Sequence, residues 1–417
     1  MPALFMVSLV GLPSVSARTP QTGTIHLFVI PQAHASPVLN LIRSARHSLR
    51  LEVYLLTNRP IVRELQRAQQ RGVDVRVMLE KHPFRSTRYA LLGYALLRGA
   101  GIPVRWANER YYALTHEKAM VVDNSVAGIF TFNLTSSGLY RNREFGVIDA
   151  NPQDAHALDA IFESDWRRLP PAHLLRSHLV VSPYNSRRGL TSLIDDSRRT
   201  LDMYAEELDD ATVEDHLIRA ERRGARVRIL TSLQSSGVDA LRSGGVQVKL
   251  QKSPYVHAKA AVADGETLFV GSENVSSESL DRNREAGLKL SNAGLARQIE
   301  ATFSSDWGEG APAVSPSTGV ERFRLSVTVE PTSAHRGQEV TIVASATPGA
   351  ACSVSVTYPD GYVSRARALS GVKVVGAAGT VRWAWHVGSR VTGSSDVRVS
   401  CERGAARGSA TATFAIE

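Results

Sequence analysis

The chain has 417 residues, 43% of them hydrophobic and 21% charged, the composition of an ordinary globular protein with room for about two to four domains. That excludes collagen-like, low-complexity and disulfide-dense architectures. A formal net charge of +9 and a pI near 9.7 favour anionic partners (nucleic acid, phosphate esters or anionic lipid headgroups), with no long basic run to choose among them.

At the N-terminus, Ala3 to Leu12 is apolar and Val15-Ser16-Ala17 has the small residues of a signal-peptidase site. Residues 1–17 are expected to be a signal peptide, though the usual basic segment is lacking, and the mature protein to be exported (secreted or periplasmic). No other window approaches the ~18 apolar residues of a membrane span.

Leu41 to Tyr54 then reads as a helix followed by a buried strand, and Leu193 to Tyr204 repeats it. Arg71-Gly72-Val73 and Arg223-Gly224-Ala225 each place a glycine past a helix end, before an alternating strand. Gly101 to Val104 matches Gly245 to Val248, and Phe162 to Trp166 matches Phe303 to Trp307, with both tryptophans read as core anchors. Strands alternating with helices predict an α/β fold with helices on both faces of a mostly parallel sheet. It is built twice, over residues 24–170 and 174–308, with Pro170-Pro171 at the junction. A Pro/Ser/Ala/Gly-rich linker covers 309–320, and short alternating strands over 321–417 predict an all-β sandwich. Its cysteines, Cys352 and Cys401, are the two of the chain and are expected to form a disulfide in an exported protein.

The chemistry lies in a five-residue pattern that occurs twice, 141 residues apart. The first copy is His116, Lys118, Asp123, Asn133 and Glu144; the second is His257, Lys259, Asp264, Asn274 and Glu285. The spacing is identical in both, which core packing gives no reason to preserve. Two half-sites meeting at one reaction centre would. Strand alternation puts each His and its Lys on one face. A cation beside an imidazole suits a phosphoryl group: Lys neutralises oxygen while His attacks phosphorus or moves a proton. Each Asn can donate to the same oxygens, and Glu144 or Glu285 can accept from the second ring nitrogen of the His in its own copy, fixing the tautomer. Neither His-Glu-x-x-His nor a cysteine cluster is present, so no zinc site is expected.

These residues resemble the phospholipase D superfamily, whose signature is a duplicated His-x-Lys-x4-Asp followed by Gly-Ser-x-Asn. The second copy carries it complete, with Gly271, Ser272 and Asn274. The first has Phe130-Thr131-Phe132-Asn133: Thr131 keeps the hydroxyl, while Phe130, in place of a small residue, is expected to narrow the pocket or to change substrate preference. The resemblance covers about residues 24–308 and implies two pseudo-symmetric phospholipase-D-like α/β/α halves. The C-terminal sandwich resembles the immunoglobulin-like modules of secreted bacterial proteins.

The resemblance also implies a mechanism without metal or cofactor. His116 attacks to form a phosphohistidine, and His257 protonates the leaving alcohol and then activates water or a second alcohol. Asp123 and Asp264 are expected to support the site from beneath. The Arg-Asn-Arg-Glu stretches ending at Glu144 and Glu285 present arginine either to phosphate or to the other half. Of the acidic run Glu206, Glu207, Asp209 and Asp210, most is read as solvated, with a cationic headgroup as the alternative; His26, His34, His82 and His386 are read as structural. The expected function is an exported phosphodiesterase that hydrolyses, or transphosphatidylates, phospholipid headgroup esters at a site within one chain, with peripheral contact to a membrane surface. A nuclease on the same site is the rival. A cardiolipin-synthase-like transferase ranks lower because no span is visible. A β-sandwich adhesion protein over a degenerate core ranks last.

Overall fold

The computed structural model describes residues 24–313 and 325–417, apart from Arg85, Glu109, 171–174, 360–362, 365, 389–390 and 404–405 and the side chains of 406 and 407. The expected signal peptide and most of the expected linker lie outside these residues.

The first half contains β1 (Ile25–Ile30), α1 (Ser36–Ser44), β2 (Ser48–Val53), α2 (Arg59–Gln70), β3 (Asp74–Leu79), α3 (Thr87–Gly99), β4 (Val104–Trp106), β5 (Lys118–Val122), β6 (Val126–Phe130), α4 (Ser136–Tyr140), β7 (Glu144–Asp149) and α5 (Pro152–Trp166). The second repeats it as β8 (Leu179–Ser182), α6 (Ser186–Asp196), β9 (Thr200–Tyr204), α7 (Ala211–Arg222), β10 (Arg226–Thr231), α8 (Ser236–Ser243), β11 (Gln247–Leu250), β12 (Ala260–Ala263), β13 (Thr267–Gly271), α9 (Ser277–Asp281), β14 (Glu285–Ser291) and α10 (Ala293–Glu309). The strand orders are β1-β7-β6-β5-β2-β3-β4 and β8-β14-β13-β12-β9-β10-β11, the latter extended at its edge by Ala311–Pro312. Local chemistry repeats as well. Asn58 caps α2 at the Ile61 N–H, Asp210 caps α7 at the Val213 N–H, and Gly72 and Gly224 supply the left-handed turn after those helices (φ +92° and +99°).

The sheets are mixed, not mostly parallel. Only β2–β3–β4 and β9–β10–β11 run parallel; β5, β6 and β7 add antiparallel to β2, and β12, β13 and β14 to β9. The reason is connection length. Three residues join β5 to β6, which allows a hairpin but not the crossover a parallel neighbour needs. Asp123 and Asn124 take the positive φ of that turn.

Each half buries one face of its sheet under its own first helices, α1 to α3 or α6 to α8. The opposite faces share one core. Phe145, Val147 and Leu158 of the first half pack there with Val262, Leu288 and Phe303 of the second. Trp166 and Trp307 are half-buried, stacked on Phe162 and Phe303 with Arg105 and Arg228 over their rings.

Residues 325–417 form an all-β region of a three-stranded and a five-stranded sheet, with Trp383, Trp385 and Phe414 in the core between them. Cys352 and Cys401 are bonded. They face each other on neighbouring strands of the five-stranded sheet, so the disulfide staples one sheet.

Candidate functional site

The two halves join through backbone pairing at the two motif histidines. Thr115 bridges Arg284, and Arg143 bridges Val256. The His116 N–H donates to the Arg284 carbonyl (2.8 Å), and the His257 N–H to that of Arg143 (3.3 Å). The side chains of those arginines lock the joint: Arg143 makes a bidentate pair with Asp306 (2.6 and 2.9 Å), and Arg284 with Asp165 (2.7 and 3.2 Å), all four buried. Thus the Arg-Asn-Arg-Glu arginines Arg143 and Arg284 serve the half–half interface and do not face a phosphate.

The next residue after each arginine is the motif glutamate, so backbone pairing delivers it to the opposite half. His116 Nδ1 sits 2.9 Å from Glu285, and His257 Nδ1 sits 2.8 Å from Glu144. The expected pairing within each copy is therefore wrong; the glutamates cross over. Glu144 also accepts from Thr131 (2.6 Å) and Asn142 (3.3 Å), and Glu285 from Ser279 (2.6 Å) and Asn283 (3.2 Å). Both are fully buried. Burial alone would raise Glu285, but His116, Lys118 and the Ser279 hydroxyl outweigh it and hold the carboxyl below its ordinary value. Thr131 and its counterpart Ser272 each accept a backbone N–H, from Phe145 and Ala286 (3.0 Å in both), and Thr131 also donates to Glu144, which gives it a role in the site.

Lys118 and Lys259 are buried, and each donates to the carbonyl of its own histidine. Asn133 and Asn274 lie just past β6 and β13, with their side-chain oxygens buried and lacking a hydrogen-bond partner. Asp123 and Asp264 are not beneath the site but at the far ends of β5 and β12. Each accepts three backbone N–H groups, Arg46, His47 and Ser48 or Arg198, Arg199 and Thr200 (2.7–2.9 Å), and so fixes the start of β2 or β9. Phe130 is also placed elsewhere than expected. It is fully buried against Phe28 and Phe132 in the first half's outer core, so it does not narrow the pocket. At the equivalent place in the second half, Glu273 lies over Gly271 and Gly287, where an added Cβ would come within 2.3 and 2.8 Å of its carboxyl. Aromatic packing in one half replaces a buried carboxyl in the other. Among the described residues, no group of three or more His, Cys, Asp or Glu is arranged to hold a metal ion.

The two half-sites differ at one first-rank position that the sequence reading missed. After β2, Tyr54 lays its ring edge-on to His116 (centroids 4.6 Å) and beneath Lys118. At the equivalent place after β9 stands Glu206, whose carboxylate is 2.5 Å from Lys259 Nζ and 3.4 Å from His257 Nε2. Burial alone would raise Glu206; His257 and Lys259 overcome it and hold the carboxyl at about 2. The aligned register of β2 and β9 was the signal that could have found it. Glu207 and Asp209 are exposed as expected, while Asp210 is buried, capping α7 and pairing with Arg187 (2.8 Å).

Burial pushes His116 down to about 4, with Lys118 adding to the effect against the opposing pull of Glu285. It also pushes Lys118 down to about 7. In the free protein at neutral pH, the ring of His116 is therefore uncharged. Since kcat/KM reports free-enzyme ionisations, it should rise with pH through about 4 as His116 loses its proton. It should fall above about 7 as Lys118 loses its charge. A pH series of kcat/KM checks this; an acid limb near 6.5 would mean that His116 is not desolvated.

The comparisons with known proteins agree with this geometry. The family model described as "Cardiolipin synthase, PLD-like domain" matches residues 38–166 and 190–307, more than half of the chain and both half-sites. The chain belongs to the phospholipase D superfamily. Among its superfamily relatives, the minor cardiolipin synthase ClsB of Bacillus subtilis is 20% identical over 310 residues, covering 64% of this chain and 77% of that protein. The mitochondrial cardiolipin hydrolase of Mus musculus is 33% identical over 97 residues, covering 22% and 44%. Among solved structures, the phosphatidylserine synthase of Haemophilus influenzae superposes with a TM-score of 0.52 at 14% identity, over 69% of this chain and 87% of that one. Polyphosphate kinase from Porphyromonas gingivalis gives 0.56 at 18%, over 71% and 53%. At such identities these two likenesses speak for the fold alone.

Proposed function

We propose that this protein, exported from the cytoplasm, cleaves a phospholipid phosphodiester through a covalent phosphohistidine and passes the phosphatidyl group to water or an alcohol. The observation that carries the reading is the crossed pair of histidines. Each Nδ1 is held by a buried glutamate from the other half, which leaves each Nε2 as the working nitrogen, beside two buried lysines and, at His257, beside Glu206. His116, neutral and donating its Nδ1 proton to Glu285, keeps a lone pair on Nε2 and attacks phosphorus. The P–O bond to the leaving alcohol breaks, and His257 gives that oxygen its Nε2 proton. The neutral His257 then takes the proton of water or an incoming alcohol, whose oxygen attacks phosphorus and breaks the P–N bond. Lys118, Lys259 and the amides of Asn133 and Asn274 hold the non-bridging oxygens. Relatives named cardiolipin synthase bring transfer to a lipid hydroxyl level with hydrolysis, since one intermediate serves both. Export is supported by the N-terminal apolar segment and by the Cys352–Cys401 bond. The two-sheet C-terminal region is offered as an immunoglobulin-like module.

A lipid substrate is favoured over nucleic acid by helix α3. The Phe84 N–H donates to the Tyr54 hydroxyl beside His116 (2.6 Å), so α3 starts next to the site. Phe84 is 71% exposed, Leu91 56%, Leu92 43% and Tyr89 41%, whereas the apolar residues Val238 and Leu241 of the matching helix α8 are buried. Exposed apolar side chains on a helix that starts beside a phosphodiester site suit a bilayer surface. Liposome flotation and turnover on phosphatidylglycerol vesicles, with plasmid DNA in parallel and EDTA throughout, tests the reading. Leu91→Ser/Leu92→Ser should weaken vesicle binding by roughly tenfold or more, with turnover of a short-chain monomeric lipid held within about twofold. DNA cleavage without lipid turnover would move the protein to the nucleases.

A further inference from the structure

Glu144 and Glu285 stand at the Nδ1 atoms of the two rings; Glu206 is a third carboxylate and stands at an Nε2 atom, the side on which the lysines lie. Burial of a lysine here does not by itself require a carboxylate, although the one without it, Lys118, is pushed down to about 7. Lys118, equally buried at the matching place, has the Tyr54 ring there instead of a carboxylate. Nor is Glu206 sealed away: its side chain is 16% exposed, and its other close partner is the Tyr255 hydroxyl at 3.4 Å. It lies 3.4 Å from His257 Nε2, the atom at which an alcohol oxygen leaves or enters. A group carried one or two carbons from that oxygen is brought to Glu206.

We propose that Glu206 selects the alcohol: its carboxylate accepts a hydrogen bond from a second donor group on the headgroup that departs or arrives at His257. This rests on the phosphodiester-transfer reading above and deepens it. The chemical class is an alcohol with a neighbouring donor, either a second hydroxyl, as in a glycerol headgroup, or an ammonium, as in ethanolamine. An alcohol lacking such a donor covers the exposed edge of the carboxylate without replacing the water it displaces, and leaves it one hydrogen bond short beside Lys259. On the His116 side, Tyr54 offers no such acceptor, so the half-site that binds the alcohol is distinguished from the half-site that holds the phosphatidyl group.

The test is steady-state turnover of vesicles of phosphatidylglycerol, phosphatidylethanolamine and phosphatidylethanol by the full-length wild type, Glu206→Ala and Glu206→Gln. The wild type should prefer one or both donor headgroups over phosphatidylethanol, by about 10- to 100-fold in kcat/KM. Glu206→Ala should bring that ratio close to one. Glu206→Gln keeps an acceptor but not the charge, so a retained preference identifies the hydroxyl and a lost one the ammonium. An unchanged ratio in Glu206→Ala, with all three rates lowered alike, would assign Glu206 to holding Lys259 and overturn the proposal alone. Silence of the wild type on all three lipids would overturn the lipid reading, and the proposal with it.

Discussion

His116→Ala should abolish both turnover and the covalent intermediate, whereas His257→Ala should keep the first chemical step alive for a leaving group that needs no proton. With a natural lipid, both variants should lose about 10³-fold or more in kcat, because general acid–base help alone contributes about 10²–10⁴. They separate on a p-nitrophenyl phosphodiester, whose phenolate departs unprotonated. His257→Ala should release one equivalent of p-nitrophenolate per site in a burst and then stall, for want of a base to activate water. His116→Ala should show no burst. The asymmetry follows from the surroundings of the two rings. His116 is desolvated beside Lys118, with one carboxylate at Nδ1, which favours the neutral nucleophile. His257 has Glu144 at Nδ1 and Glu206 near Nε2, a carboxylate beside each ring nitrogen, which suits the proton-carrying partner. A burst from His116→Ala and none from His257→Ala would exchange the roles and leave Glu206 on the nucleophile's side.

The duplication was legible because identical spacing survives in the string of residues. Repeated strands, helix caps and post-helical glycines follow from local chemistry, and both histidines with their lysines lie where the repeat puts them. What could not be read was which half a side chain serves. Glu144 and Glu285 sit at the same offset from their own histidines, and that offset is equally compatible with pairing inside a copy or across the joint. Backbone pairing of residue 284 with 115, and of 143 with 256, decides it, and such pairing leaves no trace in spacing. The same blindness affected Arg143 and Arg284, whose interface role was one of two open readings. Phe130 misled for another reason. A bulky residue in place of a motif glycine suggests obstruction, but its strand turns that side chain away from the site into aromatic packing with Phe28 and Phe132. Glu206 was hidden in an acidic run whose other members, apart from Asp210, do face solvent.

Arg284→Met should destabilise the protein by about 3–5 kcal/mol at neutral pH, the cost of leaving a buried carboxylate without its partner. The site around Arg284 is richer in buried carboxyls than its mirror image. Arg143 and Asp306 are completed by the neutral Tyr204 hydroxyl (2.7 Å), while Arg284 meets Asp165 and Tyr112 with buried Glu52 and Glu117 close by. Burial pushes Glu52 up to about 7 and Glu117 well above the ordinary carboxylate range, with Glu52 adding to the rise of Glu117. Raised carboxyls bind protons more tightly in the folded state than in the unfolded one. Their stabilising effect is full below about pH 4 and is lost as pH climbs, through about 7 for Glu52. Removing the arginine therefore matters more at pH 8 than at pH 5, where protonation can relieve the cluster. Replacing the pair together, Arg284→Met/Asp165→Leu, should recover part of the loss, since an apolar pair leaves no stranded charge. Activity should fall further than stability explains, because the Arg284 side chain's pair with Asp165 anchors the backbone whose carbonyl holds the His116 N–H and whose next residue, Glu285, meets the ring. Denaturant titrations of the two single variants and the double at pH 5 and 8 decide the matter. Additive single effects below about 1 kcal/mol would place the joint between the halves in the shared apolar core instead of in this crossed ion pair.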